Sequence, residues 1–222
     1  MLNLLEIDSV TKTFEYRQIL TDIYLKCTTG NIIGLLGRNG TGKSTLLKIV
    51  FGSEVADNKF IRIDGEIYNK PYLSPGQIAY LPQDSFLPKQ LTISKVIELY
   101  LGKDNFDCFT KGDTIISPLL HTKVSVLSGG ELRYLEIKLL LNLPVKFVLL
   151  DEPFNGIAPV VVDVLKQMIR EHSKSKGIIL TDHDYRNVLD VASRYCLLYD
   201  GGIKNIENKD DLVRWGYLLE DH

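Results

Sequence analysis

The chain has 222 residues and a formal net charge of −2, and 45% of its residues are hydrophobic and 24% are charged. This length and composition favour one globular α/β domain with a small insertion. The nearly balanced charge gives no broad attraction to nucleic acids, so we expect no direct nucleic-acid partner. The three cysteines are far apart, and neither a secretory leader nor a run of about 18 apolar residues occurs. The sequence therefore predicts a protein of a reducing compartment that does not cross the membrane.

The chain begins with segments typical of an antiparallel sheet. Residues 4–14 and 19–27 are strand-like, and a turn at residues 29–31 leads into the apolar run at residues 32–36. The sequence therefore predicts an antiparallel β edge followed by a buried strand.

A glycine-rich loop follows that buried strand. Residues 37–45, Gly-Arg-Asn-Gly-Thr-Gly-Lys-Ser-Thr, fit the pattern G-x-x-x-x-G-K-[ST], and a helix is predicted from Lys43 to about Gly52. In such a loop, backbone N–H groups turn toward phosphates, the lysine reaches the β- and γ-phosphates, and the hydroxyl of Ser44 can bind Mg²⁺. The positive end of the helix faces the same anion. The expected phosphate-binding residues are Gly37, Asn39, Gly40, Thr41, Gly42, Lys43, Ser44 and Thr45.

The rest of the chain alternates between strands and helices, apart from one segment of different character. Within residues 84–126, a helix at residues 93–101 is followed by a polar stretch, residues 102–113, that is predicted as a loose loop. The alternation from residue 130 onward predicts a parallel sheet covered by helices. The predicted elements are strands at residues 60–65, 77–81, 147–150, 178–181 and 195–199, and helices at residues 130–141 and 159–174 and up to residue 192.

Two acids follow one of these strands. Asp151 and Glu152 come directly after the apolar run at residues 147–150. An acidic turn after a buried strand is common without any function. In an α/β sheet, however, ligands bind at the carboxyl ends of strands, which would place both acids beside the glycine-rich loop. Asp151 then fits a ligand of Mg²⁺ through water, and Glu152 fits a carboxylate that orients or deprotonates the water attacking a γ-phosphate.

Residues 127–131, Leu-Ser-Gly-Gly-Glu, precede a predicted helix, where Ser128 and Glu131 also fit a capping box. Together with Lys43, Gln83 and the acid pair in this order, they make residues 4–206 resemble the ATP-binding cassette (ABC) ATPase family, whose signature is L-S-G-G-Q. The resemblance implies a P-loop NTPase (RecA-like) α/β core with a mainly parallel sheet, an antiparallel β edge and a small helical insertion. It divides a single domain, residues 1–222, into a catalytic core (1–83 and 136–222) and a helical signature subdomain (about 84–135).

The resemblance also implies cofactors and roles. The implied cofactors are ATP and Mg²⁺, and the implied reaction is hydrolysis of ATP. Gln83, which follows Leu81-Pro82, matches the Q-loop glutamine that senses Mg²⁺ and water, and His183 matches the switch histidine at the γ-phosphate. Phe14 lies where the family places an aromatic ring against adenine, although Tyr16 is close enough to be an alternative. The implied catalytic residues are Glu152, His183 and Gln83; the implied metal ligands are Ser44, Gln83 and Asp151; the loop that binds the γ-phosphate of the opposite subunit is Ser128, Gly129 and Gly130.

The implied assembly is a head-to-tail dimer with ATP at its interface. The implied partners are a second copy of the chain or a paralogous ATPase, together with separate transmembrane subunits, and we expect the ATPase to sit peripherally on the cytoplasmic face of the membrane. The implied function is to power an ABC transporter through ATP-dependent dimerisation. The alternative is a non-transport cytosolic ATPase that switches a protein partner by dimerising. One departure from the family is Ala158, where the D-loop usually has an aspartate that also caps the next helix.

A GTPase is a second enzyme hypothesis, because residues 208–211 fit the pattern N-K-x-D. No D-x-x-G segment occurs, and a helix start capped by Asn208 explains these residues. His121, His172 and His222 match no motif.

Overall fold

The computed structural model describes residues 2–218, which form ten β-strands and seven α-helices. The strands are β1 Leu4–Phe14, β2 Arg17–Thr28, β3 Ile32–Leu36, β4 Asn58–Ile63, β5 Glu66–Ile67, β6 Ile78–Leu81, β7 Phe147–Asp151, β8 Gly177–Thr181, β9 Arg194–Tyr199 and β10 Gly202–Ile206. The helices are α1 Lys43–Phe51, α2 Ile93–Leu101, α3 Phe106–Thr110, α4 Gly129–Asn142, α5 Pro159–Ser173, α6 Tyr185–Val191 and α7 Lys209–Arg214. Within residues 2–218, every helix is too short or too polar to cross a bilayer. His222 lies outside the described residues.

A six-stranded sheet in the order β10-β9-β3-β8-β7-β6 forms the centre of the fold. Strands β9, β3, β8, β7 and β6 run parallel, and β10 returns antiparallel to β9. Every residue of β3, β7 and β8 is buried, which is typical of parallel strands covered on both faces. The register pairs Asp151 at the end of β7 with Thr181 at the end of β8. The chain segments that leave these strands therefore start side by side.

A second sheet, with the order β2-β1-β4-β5, is entirely antiparallel. Its buried side chains, such as Leu5 and Ile23, share one core with Leu46 of α1 and with Ile33 and Leu35 of β3. Burial of each such side chain contributes roughly 1.5–3 kcal/mol to folding. The antiparallel strands predicted from the sequence thus form a layer of their own, and this layer fixes α1 against one face of the parallel sheet.

The prediction of a loose loop over residues 102–113 is wrong. This stretch contains α3, and Phe109 within it is buried in the main core. Asp113 follows, and its carboxylate accepts hydrogen bonds from the backbone N–H groups of Ile115 (2.8 Å) and Ile116 (2.6 Å). The same carboxylate accepts the hydroxyl proton of Tyr134 (2.8 Å) and pairs with Lys138, both on α4. Polar composition suggested solvent exposure, but these polar groups are buried because they satisfy one another.

Candidate active site

The glycine-rich loop connects β3 to α1. Gly40 and Gly42 have φ angles of 76° and 102°, a left-handed conformation that glycine adopts without steric cost. The ammonium group of Lys43 lies across the loop and donates to the carbonyl oxygens of Gly37 (2.7 Å) and Arg38 (3.1 Å). Burial lowers the pKa of Lys43, whereas the charges of Glu152 and Asp151 raise it. The loop therefore holds a buried cation next to two acids.

A cavity of about 530 Å³ lies over this loop. Phe14 borders the cavity and remains 46% exposed, whereas Tyr16 is fully exposed and is not among the lining residues. Gly37 and Thr41 do not line it either. The Gly37 carbonyl accepts a hydrogen bond from the Lys43 ammonium, and the Thr41 hydroxyl donates to the Arg38 carbonyl at 2.9 Å. The lining residues are Phe14, Ile19, Asn39, Gly40, Gly42, Lys43, Ser44, Thr45, Gln83, Glu152 and His183.

Asp151 is fully buried at the end of β7. Its Oδ1 accepts hydrogen bonds from the hydroxyls of Ser44 (3.0 Å) and Thr181 (2.9 Å). Its Oδ2 accepts a hydrogen bond from the hydroxyl of Tyr80 at 3.0 Å. Hydrogen bonds to both oxygens of a carboxylate fix its orientation. The Ser44–Asp151 contact joins the glycine-rich loop to the acid pair.

Glu152 brings the three residues implied to be catalytic together. Its Oε1 accepts a hydrogen bond from Nε2 of Gln83 at 2.9 Å and lies 2.8 Å from Nε2 of His183. The Gln83 amide also donates to Ser44 Oγ at 3.2 Å. Glu152 itself has a left-handed φ of 51°, a strained conformation for a residue with a Cβ. Strain of this kind, held by the surrounding contacts, is common at functional sites.

Arg133 of α4 forms hydrogen bonds with the backbone of the acid pair. Its guanidinium donates to the carbonyl oxygens of Pro82 (2.6 Å), Asp151 (2.5 Å) and Glu152 (3.1 Å). A buried cation that bonds to three carbonyls restrains the backbone on both sides of the cavity. The helix that begins at the Leu-Ser-Gly-Gly-Glu segment is thereby connected to Pro82, which precedes Gln83, and to Glu152.

The Leu-Ser-Gly-Gly-Glu segment begins α4 as predicted. Ser128 and Glu131 form the capping box, in which Ser128 accepts from the Glu131 backbone at 3.3 Å and Glu131 accepts from the Ser128 backbone at 2.8 Å. Gly129 lines a smaller cavity of about 200 Å³ that also borders Gln83 and Glu152. Ser128, Gly129 and Gly130 are absent from the lining of the larger cavity over the glycine-rich loop.

Tyr80, Thr181 and Arg133 are site residues that motif reasoning did not identify. Thr181 could have been found, because it ends the strand next to β7 in a parallel sheet. Tyr80 belongs to an apolar strand, and Arg133 to a helix, without a local pattern that indicates a contact with the acids. Their partners are 71 and 18 residues away in the sequence, so only the tertiary structure shows the contacts.

Two further interpretations concern helix starts. Asn208 caps α7 by accepting from the backbone of Asp211 at 3.1 Å, which confirms the helix-cap interpretation of residues 208–211. Ala158 occupies the N-cap position of α5 and provides no side-chain hydrogen bond. The D-loop departure thus leaves this helix without the usual polar cap.

A phosphate-binding loop after β3, an acid pair after β7 and a helix-covered parallel sheet define a P-loop NTPase. A family model described as ABC transporter matches residues 20–155. The lipopolysaccharide export system ATP-binding protein LptB of Haemophilus influenzae is 34% identical over 91% of this chain and 89% of its own. LptB of Escherichia coli K12 is 32% identical over 96% of both chains. The chain therefore belongs to the ABC transporter family.

Solved structures share the fold. One described as the ATP-binding subunit of an ABC transporter has a TM-score of 0.83 and 23% identity, over 98% of this chain and 95% of its own. A bacterial Atm1-family ABC exporter with ATP bound has a TM-score of 0.82 and 22% identity, over 96% of this chain and 40% of its own. As a member of its family, the chain is an ATP-binding ATPase subunit that powers a transporter.

Proposed function

We propose that this chain binds MgATP over the glycine-rich loop and hydrolyses its γ-phosphate with Glu152, Gln83 and His183. The observation that carries the proposal is the convergence of Gln83 and His183 on one oxygen of Glu152, in the cavity that Lys43 and Ser44 also line. Hydrolysis needs a base and polar groups that hold a water molecule in line with the leaving phosphate. These three side chains provide them.

ATP would bind through the loop and through an aromatic ring. The Lys43 ammonium would exchange the carbonyls of the loop for the β- and γ-phosphates, and the backbone N–H groups of the loop and of the first turn of α1 would add further donors. Phe14, which also lines the cavity, would supply a ring face for adenine.

The oxygen ligands near Ser44 fit Mg²⁺. The Ser44 hydroxyl, the Asp151 carboxylate and the Gln83 side chain are connected by hydrogen bonds of 3.0 and 3.2 Å. Within residues 2–218, no group of three or more His, Cys, Asp or Glu residues could hold a metal alone. This sparse set suits Mg²⁺, which keeps several waters and binds through one or two carboxylates and the phosphates of its nucleotide. Ser44, Gln83 and, through water, Asp151 would hold the ion, which would supply positive charge against the phosphates of the nucleotide.

Hydrolysis then proceeds by attack of one water on the γ-phosphorus. Glu152 accepts the proton that the water loses, and the bond between the γ-phosphorus and the β,γ-bridging oxygen breaks, which leaves ADP and inorganic phosphate. Gln83 and His183 orient the water, and His183 also contacts the γ-phosphate. Arg133 keeps the backbone of Glu152 and the segment before Gln83 in place.

The active form in this proposal is a head-to-tail dimer. Ser128, Gly129 and Gly130 do not border the cavity of their own chain that contains Lys43, and Ser128 is exposed. A second copy, or a paralogous ATPase, could therefore bring its own Ser128 segment to the γ-phosphate. Separate transmembrane subunits would carry the transport path, with this chain peripheral on the cytoplasmic face of the membrane.

Two substitutions test this function, each with a matched control. Lys43→Ala should nearly abolish MgATP binding in calorimetry, because among residues 2–218 no other ammonium group lines the cavity. Lys48→Ala, an exposed position on the same helix, should bind like the parent. Glu152→Gln should retain MgATP binding but release phosphate at least about a hundredfold more slowly than the parent. Glu171→Gln, at an exposed position, should release phosphate at the rate of the parent. Binding by Lys43→Ala within threefold of the parent would contradict the proposal.

A further inference from the structure

Tyr80 is a buried tyrosine whose side chain reaches the acid pair. It lies on β6, three residues before Gln83, and its ring packs 5.3 Å from the ring of Phe51 at the end of α1. Phe51 in turn contacts Tyr72, which is partly exposed, at 5.2 Å. The ring of Tyr80 is thus held in one position by an aromatic row.

The hydroxyl of Tyr80 is the hydrogen-bond donor on one side of the Asp151 carboxylate. It donates to Oδ2 at 3.0 Å, while Ser44 and Thr181 donate to Oδ1. A carboxylate with donors on Oδ1 alone could rotate about its Cβ–Cγ bond, because that torsion is broad. The hydrogen bond from Tyr80 prevents this rotation, so Oδ1 stays directed at the Ser44 hydroxyl.

We propose that Tyr80 is a positioning residue for Mg²⁺: its hydroxyl anchors Oδ2 of Asp151 so that the carboxylate faces the metal and the Ser44 hydroxyl. The inference rests on the proposed MgATP site. Partners of metal-ligating carboxylates orient the ligand and typically change metal affinity by ten- to a hundredfold when they are removed.

Burial and the charge of Asp151 both raise the pKa of the Tyr80 hydroxyl well above its ordinary value of 10.0. The hydroxyl is therefore protonated near neutral pH, and it is the donor of the 3.0 Å bond to Oδ2.

The test compares nucleotide affinity with and without the metal. Binding of the non-hydrolysable analogue AMP-PNP is measured by calorimetry in excess Mg²⁺ and in EDTA, and the ratio of the two affinities isolates the contribution of the metal. Tyr80→Phe keeps the ring against Phe51 and removes only the hydroxyl. We expect its ratio to fall roughly tenfold, with the affinity in EDTA within about twofold of the parent, because the phosphate and adenine contacts are unchanged.

A matched control separates this hydroxyl from others in the aromatic row. Tyr72→Phe removes a hydroxyl from the outer end of the same row and should retain the ratio of the parent. The melting temperature of Tyr80→Phe, measured alongside, reports any loss of packing. An unchanged ratio in Tyr80→Phe, with a parent that responds to Mg²⁺, would overturn the Tyr80 assignment alone. A parent that binds AMP-PNP equally well in Mg²⁺ and EDTA would overturn the metal site of the proposed function as well.

Discussion

Phe14 and Tyr16 differ in how firmly their rings are held. The Lys12 ammonium lies 4.5 Å from the centre of the Phe14 ring and is itself fixed by Glu54 (2.8 Å) and by the carbonyl of Val55 (2.6 Å). Phe14 therefore presents a restrained ring at the edge of the cavity. Tyr16 follows the end of β1 and is fully exposed, so stacking adenine on it would require ordering a free side chain.

Substitution of each ring by alanine should distinguish the two. Phe14→Ala should weaken ATP binding by about 1 kcal/mol, or roughly fivefold in Kd, because it removes the stacking surface. Tyr16→Ala should change Kd by less than about twofold. The measurement is calorimetry with MgATP at one salt concentration, and the reverse order of effects would move the adenine to Tyr16.

At this scale, the sequence predicts residues that act through local motifs. The glycine-rich loop, the acid pair and the capping box of Ser128 are each contiguous or nearly so, and the structure places them as the patterns indicate. The contacts of Tyr80 and Arg133 with the acids have no such pattern, because they arise where β6 and α4 pack beside β7. Their contribution depends on tertiary packing, which residue spacing does not encode.

Among the elements, the segment that leads from α3 to Asp113 differs most from its prediction. The Asp113 carboxylate joins this segment to α4 through Tyr134 and Lys138, and the Lys138 ammonium also lies 4.5 Å from the centre of the Phe109 ring. Helix α4 is the helix that the Ser128 segment begins. The cluster of Asp113, Tyr134, Lys138 and Phe109 therefore holds the insertion against α4. The Ser128 segment at the start of α4 is the one proposed to contact the ATP of the second subunit.

The pKa of Asp113 gives this cluster a defined pH dependence. Burial alone would raise it, but the hydrogen bonds from Lys138, the Ile116 backbone and Tyr134 hold it below the ordinary value of 3.8. A carboxyl group whose pKa is lower in the folded state stabilises the fold above its unfolded pKa, and that stabilisation is lost as the pH falls through the folded pKa. The cluster is therefore fully stabilising at neutral pH and weakens only below the value of 3.8.

Asp113→Asn should lower the free energy of unfolding by about 2 kcal/mol at pH 7, because Lys138 loses its charged partner. The difference from the parent should shrink as the pH falls below about 4. Urea unfolding at several pH values measures it, and the exposed Asp107→Asn on α3 serves as the control. A difference that stays constant down to pH 2 would contradict the charge-based explanation.

For the whole molecule, the placement of the Ser128 segment determines the expected assembly. One chain holds Lys43, Glu152 and His183 at one cavity, while Ser128, Gly129 and Gly130 do not line that cavity. Two copies arranged head to tail would complete two equivalent sites. Their facing surfaces carry polar phosphate-binding loops, so the dimer should depend on nucleotide rather than on apolar burial.

Glu152→Gln should therefore be a monomer without nucleotide and a dimer in saturating MgATP. In the proposed mechanism, the substitution keeps the contacts with ATP but removes the carboxylate that is proposed to activate water, so hydrolysis would no longer dissolve the interface. Light scattering coupled to size exclusion, in MgATP and in MgADP, measures the change in mass. MgADP should leave the protein monomeric, because it lacks the γ-phosphate that connects the two subunits.

Adding Ser128→Arg to Glu152→Gln should prevent the dimer, since the long, positively charged arginine side chain would fill the phosphate site of the partner. The matched control is Ser175→Arg. Ser175 is exposed and follows the C-terminal end of α5, whereas the D-loop precedes the N-terminal end, so this substitution should leave dimerisation unchanged. If Ser128→Arg prevents dimerisation and Ser175→Arg does not, the Ser128 segment is part of the interface. If Glu152→Gln stays monomeric in saturating MgATP at high protein concentration, the symmetric dimer is wrong. The second half of the site must then come from a paralogous ATPase, or its closure must depend on the membrane subunits.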